Sequence, residues 1–290
     1  MRDIQKSKGK IFIVGIGPGS EEMMTRRAVE IIEQVDYLVG YYGYLKYVQH
    51  IFLRSDGHRD GHADGRAAHI VGSGMTKEVE RARRALELAG CEGQQVALIS
   101  SGDAGIYGMA SLVLELLHGP GGRNFNSNFN LDLEIIPGVT ASLAASSLLG
   151  APLGHDNCTI SLSNLLLPWE TILKRLELAL QADFVITLYN PASSQRKNQF
   201  KEVINLIRVY RSLQTILAVV RNAYREGEEI HLMELGELVE LLATSVFPDY
   251  IDMHSVIIIG SSTSVKISLD GKNYMLTPRG YSSKYQVGSV

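Results

Sequence analysis

Five short clusters in this chain join glycine or asparagine to a polar or aromatic residue just after an apolar run. They are Gly15-Ile-Gly-Pro-Gly-Ser20, Ser100-Ser-Gly-Asp-Ala-Gly-Ile-Tyr-Gly108, Ile136-Pro-Gly-Val-Thr-Ala141, Leu188-Tyr-Asn-Pro191 and Arg221-Asn-Ala223. Glycine after a strand marks a tight turn or a close approach of backbone to a ligand, so the chemistry on offer is binding. The first cluster invites a dinucleotide reading, with a pyrophosphate at a helix N-terminus. Three residues oppose it. Ser20 stands where a third glycine belongs, and Pro18 removes an N–H. Asp36 falls at the start of the second strand, whereas the ribose partner belongs at its end, where Val39 and Gly40 stand. A purely structural turn is the plainer alternative. In the second cluster Asp103 could accept from a cationic amine or sugar hydroxyls, and Tyr107 could lie on a heterocycle; the plainer reading makes Asp103 a helix cap.

Other groupings carry less. His58, His62 and His69 with Asp56, Asp60 and Asp64 resemble a loose metal cluster but lack the fixed spacing of a ligand set, so a solvated loop is expected and no metal site. Cys91 and Cys158 read as structural thiols. The apolar run Leu165-Leu-Leu-Pro-Trp169 is either a contact between copies of the chain or the buried entry to a helix.

The elements that must position these clusters alternate in the first half. Strands are expected at Lys10–Gly15, Val35–Val39, Gln95–Ser100 and Leu131–Ile136. Helices are expected after Ser20 as N-cap (Met24, Ala28, Ile31 and Val35 on one face), over Tyr41–Ile51, over Thr76–Ala89 (Val79, Ala82, Leu86 and Ala89 on one face) and over Ile106–Leu117. Strands alternating with helices imply a parallel, helix-covered sheet. Ser55–Gly65 and Gly119–Asn130 read as surface loops. Beyond them, helices at Pro168–Ala182 and Gln195–Arg211 accompany closely spaced strands at Thr159–Ser163, Phe184–Leu188, Thr215–Val220, Glu229–Met233 and Val256–Gly260. Asp270-Gly271 joins Val265–Leu269 to Lys272–Leu276 as a hairpin. The fold class is therefore α/β in two domains, residues 1–138 with a parallel sheet and residues 139–290 with a mixed sheet.

Composition narrows the class further. The 290 residues are 45% hydrophobic and 20% charged, which is globular. A net charge of −3 disfavours a nucleic-acid partner. No run of 18 apolar residues occurs and the N-terminus lacks a signal-peptide pattern, so no membrane association is expected. Two cysteines fit a reducing compartment, and a cytoplasmic location is expected.

Taken in chain order, six strings resemble the tetrapyrrole methylase family of S-adenosylmethionine-dependent methyltransferases: Val14–Gly19, Gly72–Ala82, Ile99–Ala110, Ile135–Ala141, Thr187–Pro191 and Thr277-Pro-Arg-Gly-Tyr281. The strings at 72–82, 99–110 and 277–281 are similar to the branch acting at carbon 17. The resemblance implies a parallel N-terminal sheet, a mixed C-terminal domain and S-adenosylmethionine in a cleft between them. It implies cofactor contacts at Pro18, Gly102, Asp103, Ile106, Thr140, Ala141, Tyr189, Asn190, Asn222 and Ala223. The implied reaction is methylation of a precorrin-3B or cobalt-precorrin-3 type tetrapyrrole at carbon 17 with ring contraction, in cobalamin biosynthesis. Methylation at carbon 11 or carbon 20 stays open as an alternative, and nicotinamide-dependent oxidoreduction or ligand sensing as a rival of another class. Methyl transfer from a sulfonium to a carbon nucleophile is an in-line displacement accelerated mainly by positioning, which suits motifs rich in turns and poor in Cys, His and Glu; no catalytic residue is assigned. For the carboxylates of the tetrapyrrole, Lys77, Arg221, Arg225 and Arg279 are candidate partners. A homodimer is also implied. Ser55–Ile70 departs from the family's usual length as an insertion.

Overall fold

A computed structural model describes residues 8–54, 69–119, 131–193, 196–244 and 247–285. The chain divides into two compact units, Met1–Ala141 and Ser142–Val290.

In the first unit, β1 (Gly9–Gly15), β2 (Tyr37–Tyr41), β3 (His69–Ser73), β4 (Gln95–Ser100) and β5 (Leu131–Ile136) form a sheet in the order β3-β2-β4-β1-β5. Every pairing is parallel. The apolar runs of β1 and β4 are continuous because both faces are covered. Ile11, Ile13, Val96 and Leu98 pack under α4 (Glu78–Gly90) and α5 (Met109–His118). Phe12, Val14, Ala97 and Ile99 pack on the other face under α1 (Arg26–Gln34) and α3 (Gln49–Arg54).

Several boundaries move for identifiable reasons. Ser20 caps nothing with its side chain; a single 3-10 turn occupies Glu21–Met23, and Thr25 caps α1, its hydroxyl accepting from the Ala28 N–H at 3.2 Å. Met24, Ala28, Ile31 and Val35 are all buried, as their spacing requires. The expected helix over Tyr41–Ile51 is two short ones, α2 (Tyr42–Leu45) and α3. α4 starts after Thr76, which has φ +66, and Val79 is exposed rather than on the buried face. α5 starts at Met109 because Tyr107 adopts φ +52, a conformation no helix continues through. Strand β3 has no counterpart among the expected elements: it is a half-exposed edge strand without an apolar run.

The second unit opens with α6 (Ala141–Leu149, whose first residue closes the first unit) and β6 (Gly150–Ala151). Its main sheet runs β10-β9-β11-β8-β7, from β7 (Asn157–Ser161), β8 (Val185–Tyr189), β9 (Ile216–Arg221), β10 (Glu229–Glu234) and β11 (Ser255–Ile259). β7 and β8 are parallel and the other three pairings antiparallel, a mixed sheet. Ile186, Leu188, Leu217, Val219, Ile257 and Ile259 share a core with α7 (Trp169–Gln181), α8 (Lys197–Tyr210) and α9 (Leu235–Ala243). α9 begins with a capping box between Glu234 and Glu237. The hairpin β12 (Val265–Leu269) and β13 (Lys272–Leu276) closes through Asp270 (φ +50) and Gly271 (φ +76), the two left-handed residues of a type I′ turn, and β13 also pairs with β6. α10 (Tyr281–Lys284) follows.

Candidate functional site

In the first unit the candidate residues gather at the carboxyl ends of three neighbouring strands, β4, β1 and β5. The connection leaving β1 carries α1 to one face of the sheet, and the one leaving β4 carries α5 to the other. Adjacent strands whose connections part in this way define the switch point where open parallel sheets bind ligands. The loops there are knitted by backbone. Gly17 donates to the Gly102 carbonyl at 3.0 Å, and Gly102 donates back at 2.9 Å. A Cβ on Gly138 would overlap the carbonyl oxygens of Gly102 and Gly15, so this glycine is demanded by close approach rather than by torsion.

Asp103 completes the knot. Its Oδ1 accepts the Gly105 N–H at 2.8 Å and its Oδ2 the Gly138 N–H at 3.0 Å. It is not a helix cap, since the N-cap of α5 is Gly108. Pro18 is buried, Gly102, Asp103, Thr140 and Ala141 are half-buried, and Ile106 and Tyr107 are exposed. A Cβ added at Gly102 would meet the Thr140 Cα at 3.6 Å and the Ala141 N at 3.8 Å, ordinary contact, so it is the φ of +65 that favours glycine here.

The acidic residue that a dinucleotide site places at the end of β2 is not there. The Asp36 carboxylate accepts the Gln95 N–H at 2.8 Å, which ties it to the amino end of β4. At the other end of β2, Val39 and Gly40 are buried and lead into Tyr41.

In the second unit, β8 and β9 both run antiparallel to β11, so their carboxyl ends share one edge with that of β7. Asn190 (φ +52) and Asn222 (φ +50) leave that edge in the left-handed conformation that asparagine tolerates better than most residues. The Asn190 Nδ2 donates to Ser161 Oγ at 3.0 Å, and the Asn222 N–H donates to the His254 carbonyl at 3.2 Å. Helix α6 is tied to both strand ends. The Ser142 N–H donates to the Tyr189 hydroxyl at 2.7 Å, and Ser147 Oγ lies 2.9 Å from the Tyr224 hydroxyl. Ala223 sits half-buried inside this loop.

The four candidate cations differ. Arg221 is held inside the unit: its Nε donates to Asp252 at 3.0 Å and its Nη1 to Glu229 at 2.9 Å, and the Asp252 bond leads the contributions that raise its pKa. It is therefore not a free cation for a substrate. Lys77 is exposed and pairs with Glu80 at 2.8 Å. Arg225 is half-buried and Arg279 exposed.

Of the remaining candidates, His58, His62, Asp56, Asp60 and Asp64 lie outside the described residues, and His69 stacks on Tyr37. Among the described residues no cluster could hold a metal, and no helix is long and apolar enough to cross a membrane. Burial raises the Cys158 thiol's pKa, which suits a structural role. The apolar run before α7 is divided: Leu167 and Trp169 pack on the core, with the indole N–H donating to Glu202, while Leu165 and Leu166 stand 84% and 99% exposed.

These strand-end loops, on a parallel α/β unit followed by a mixed-sheet unit, are the architecture of a family, and comparison with known proteins identifies it. Residues 10–239 match the tetrapyrrole (corrin/porphyrin) methylases, and the chain belongs to that family. The cobalamin biosynthesis protein CbiHC of Archaeoglobus fulgidus is 40% identical over 97% of this chain. The chain spans about half the length of that relative, 55%, and 47% of another that matches at the same identity. A probable cobalt-factor III C(17)-methyltransferase of Salmonella typhimurium is 42% identical over 93% of this chain and 99% of its own. The crystal structure of the methyltransferase CobJ superimposes with a TM-score of 0.75 at 30% identity, covering 93% of this chain and all of that one.

Proposed function

We propose that this protein transfers a methyl group from S-adenosylmethionine to carbon 17 of a cobalt-factor III or precorrin-3B type tetrapyrrole, with ring contraction, in cobalamin biosynthesis. The observation that carries the reading is the knot of Gly17, Gly102, Asp103 and Gly138 at the switch point of the parallel sheet. It presents a half-buried carboxylate and the exposed Ile106 and Tyr107 on one rigid base.

The residues present fit such a cofactor. Adenosine asks for an apolar surface with backbone donors and acceptors; Ile106, Thr140 and Ala141 are proposed cofactor contacts on the first unit, and Tyr189, Asn190, Asn222 and Ala223 are proposed ones on the second. A ribose or an α-ammonium asks for an acceptor, and the Asp103 carboxylate has lone-pair sites beyond the two it uses. Gly102 lies next to Thr140 and Ala141, and Pro18 is buried within its loop. When bound, the cofactor supplies an electrophilic methyl group on a sulfonium. The protein's part is then to fix the ligand, align the acceptor carbon and exclude water, and no side chain has to act as nucleophile. Lys77, Arg225 and Arg279 are proposed partners for the substrate's carboxylates; Arg221 is withdrawn from that set because two carboxylates, Asp252 and Glu229, hold it part-buried within its unit, whereas the Lys77–Glu80 pair is exposed. We further propose a homodimer.

Incubation with labelled S-adenosylmethionine and either cobalt-loaded or metal-free substrate tests the reading. A product with one added methyl group at carbon 17 by mass and NMR supports it. Methyl at carbon 11 or carbon 20, or no turnover with either substrate, overturns it.

A further inference from the structure

The string Gly72–Ala82 takes no part in the knot described above, yet it contains the least expected side chain of the first unit. Arg81 lies on α4 with only 5% of its surface exposed. No carboxylate among the described residues lies within ion-pair distance of it. Burial lowers the pKa of its guanidinium, partly offset by Glu78 and by Tyr44 and Tyr41, but an arginine does not give up its charge. A buried cation with no carboxylate at ion-pair distance among the described residues is costly, and an apolar residue would pack this helix face without that cost.

The guanidinium contacts identify what the charge does. Its Nε donates to Ser73 Oγ at 2.8 Å and its Nη2 to the Gly74 carbonyl at 3.0 Å, both at or just past the carboxyl end of β3. Its Nη1 lies 3.9 Å from the Met109 sulfur at the start of α5, and its Cζ sits 6.0 Å from the centre of the Tyr41 ring at the end of β2. One side chain thus gathers the ends of β2 and β3 and the head of α5. The segments that follow Gly74 and precede Met109, next to its contacts, each hold a non-glycine residue at positive φ, Thr76 at +66 and Tyr107 at +52. Conformations of that kind persist where the surroundings over-determine them, and they gather at ligand clamps. The segments present Met75, Tyr107 and the Lys77–Glu80 pair to solvent at the ligand-binding end of the sheet.

We propose that Arg81 is a positioning residue that fixes the Ser73–Lys77 loop as a specificity wall of the tetrapyrrole site, with Met75 against the macrocycle rim and Lys77 toward one of its carboxylates. The proposal rests on the methyltransferase reading above. Arg81 touches no reacting atom; it acts through the loop.

Three variants and two affinities test it. Arg81→Met keeps the stem and removes the fork; Arg81→Lys keeps the charge but not the planar fork. Ser73→Ala removes one contact at a half-buried hydroxyl. Arg81→Met is expected to raise KM for the tetrapyrrole by about tenfold or more, an effect of the size a charged hydrogen-bond network carries. Its dissociation constant for S-adenosylhomocysteine, measured by calorimetry, is expected to stay within about twofold. Arg81→Lys should recover part of the loss, and Ser73→Ala should shift KM the same way by less. Folded Arg81→Met with unchanged KM overturns the proposal, because a merely structural arginine would lower Tm alone. If Arg81→Met does not fold, an unchanged KM in Ser73→Ala does the same. A wild type that binds S-adenosylhomocysteine but methylates no tetrapyrrole removes the functional reading, and this inference with it. Wild-type turnover with unmoved variants removes the inference alone.

Discussion

The carboxylate of Asp103 accepts one backbone N–H on each oxygen, from Gly105 and from Gly138, and that count limits what a substitution can preserve. An asparagine at this position would keep one acceptor and turn an NH2 group toward a backbone N–H, leaving a donor facing a donor. Asp103→Asn is therefore expected to lower stability by about 1–3 kcal/mol, the range for stranding a hydrogen-bonding group in a part-buried place. S-adenosylhomocysteine binding should weaken with it, by at least about tenfold, because the loop carrying Gly102 and Ile106 is no longer pinned. Chemical unfolding beside calorimetric titration reads both quantities. Unchanged stability would mean that the two hydrogen bonds are not what holds the loop; unchanged binding would remove Asp103 from the cofactor site.

At the scale of elements, the turn after β9 depends on a second carboxylate. Burial opposes the ionisation of Asp252, but the His254 N–H and the Arg221 guanidinium outweigh it and hold the carboxyl below its usual range. A carboxylate with a depressed folded pKa stabilises the native state above its unfolded value and loses that contribution as the pH falls through the folded one. The contribution is thus complete above about pH 4, the ordinary aspartate value, and fades below it. Asp252→Asn should be less stable than wild type at pH 7 and should lose less on acidification to pH 3, measured by urea unfolding at both. Parallel loss in the two proteins would exclude Asp252 as a source of the acid sensitivity. The consequence for binding is local, since Asn222 donates to the carbonyl of His254, two residues beyond Asp252. Legibility in the sequence divides along the same line. The strands β1 and β4 and the hairpin at Asp270-Gly271 were readable because their causes are local: apolar runs closed by glycine, and a dipeptide that suits left-handed torsions. The loops that carry the candidate site were readable as clusters after strands for the same reason. Arg221 was legible as a cation but not as a paired one, because Asp252 lies 31 residues away. Ser20 and Thr25 both have the chemistry of an N-cap, but a 3-10 turn follows Ser20 and it is Thr25 that caps α1. Thr76 and Tyr107 carry no glycine signal for their positive φ, so the starts of α4 and α5 were expected too early.

At the scale of the whole molecule, the question is what covers the exposed leucines in the proposed dimer. Leu165 and Leu166, 84% and 99% exposed, stand just before α7, whose entry is fixed by Trp169 bonded to Glu202. Two such residues side by side on a short, anchored segment are suited to contact rather than to water. Burying one leucine fully is worth roughly 1.5–3 kcal/mol, so four of them across a two-fold contact would contribute about 6–12 kcal/mol. Association costs on the order of 4–15 kcal/mol in lost freedom, so the leucines alone would not hold a tight dimer, though losing them would weaken one measurably. Light scattering of the wild type at micromolar concentration is expected to give twice the 31.9 kDa chain mass. The double substitution Leu165→Ser, Leu166→Ser should raise the dimer dissociation constant by at least about a hundredfold, with Tm little changed because neither side chain packs on the core. A monomeric wild type would end the dimer proposal; a dimer whose dissociation constant the double variant leaves unmoved would place the contact elsewhere on the surface.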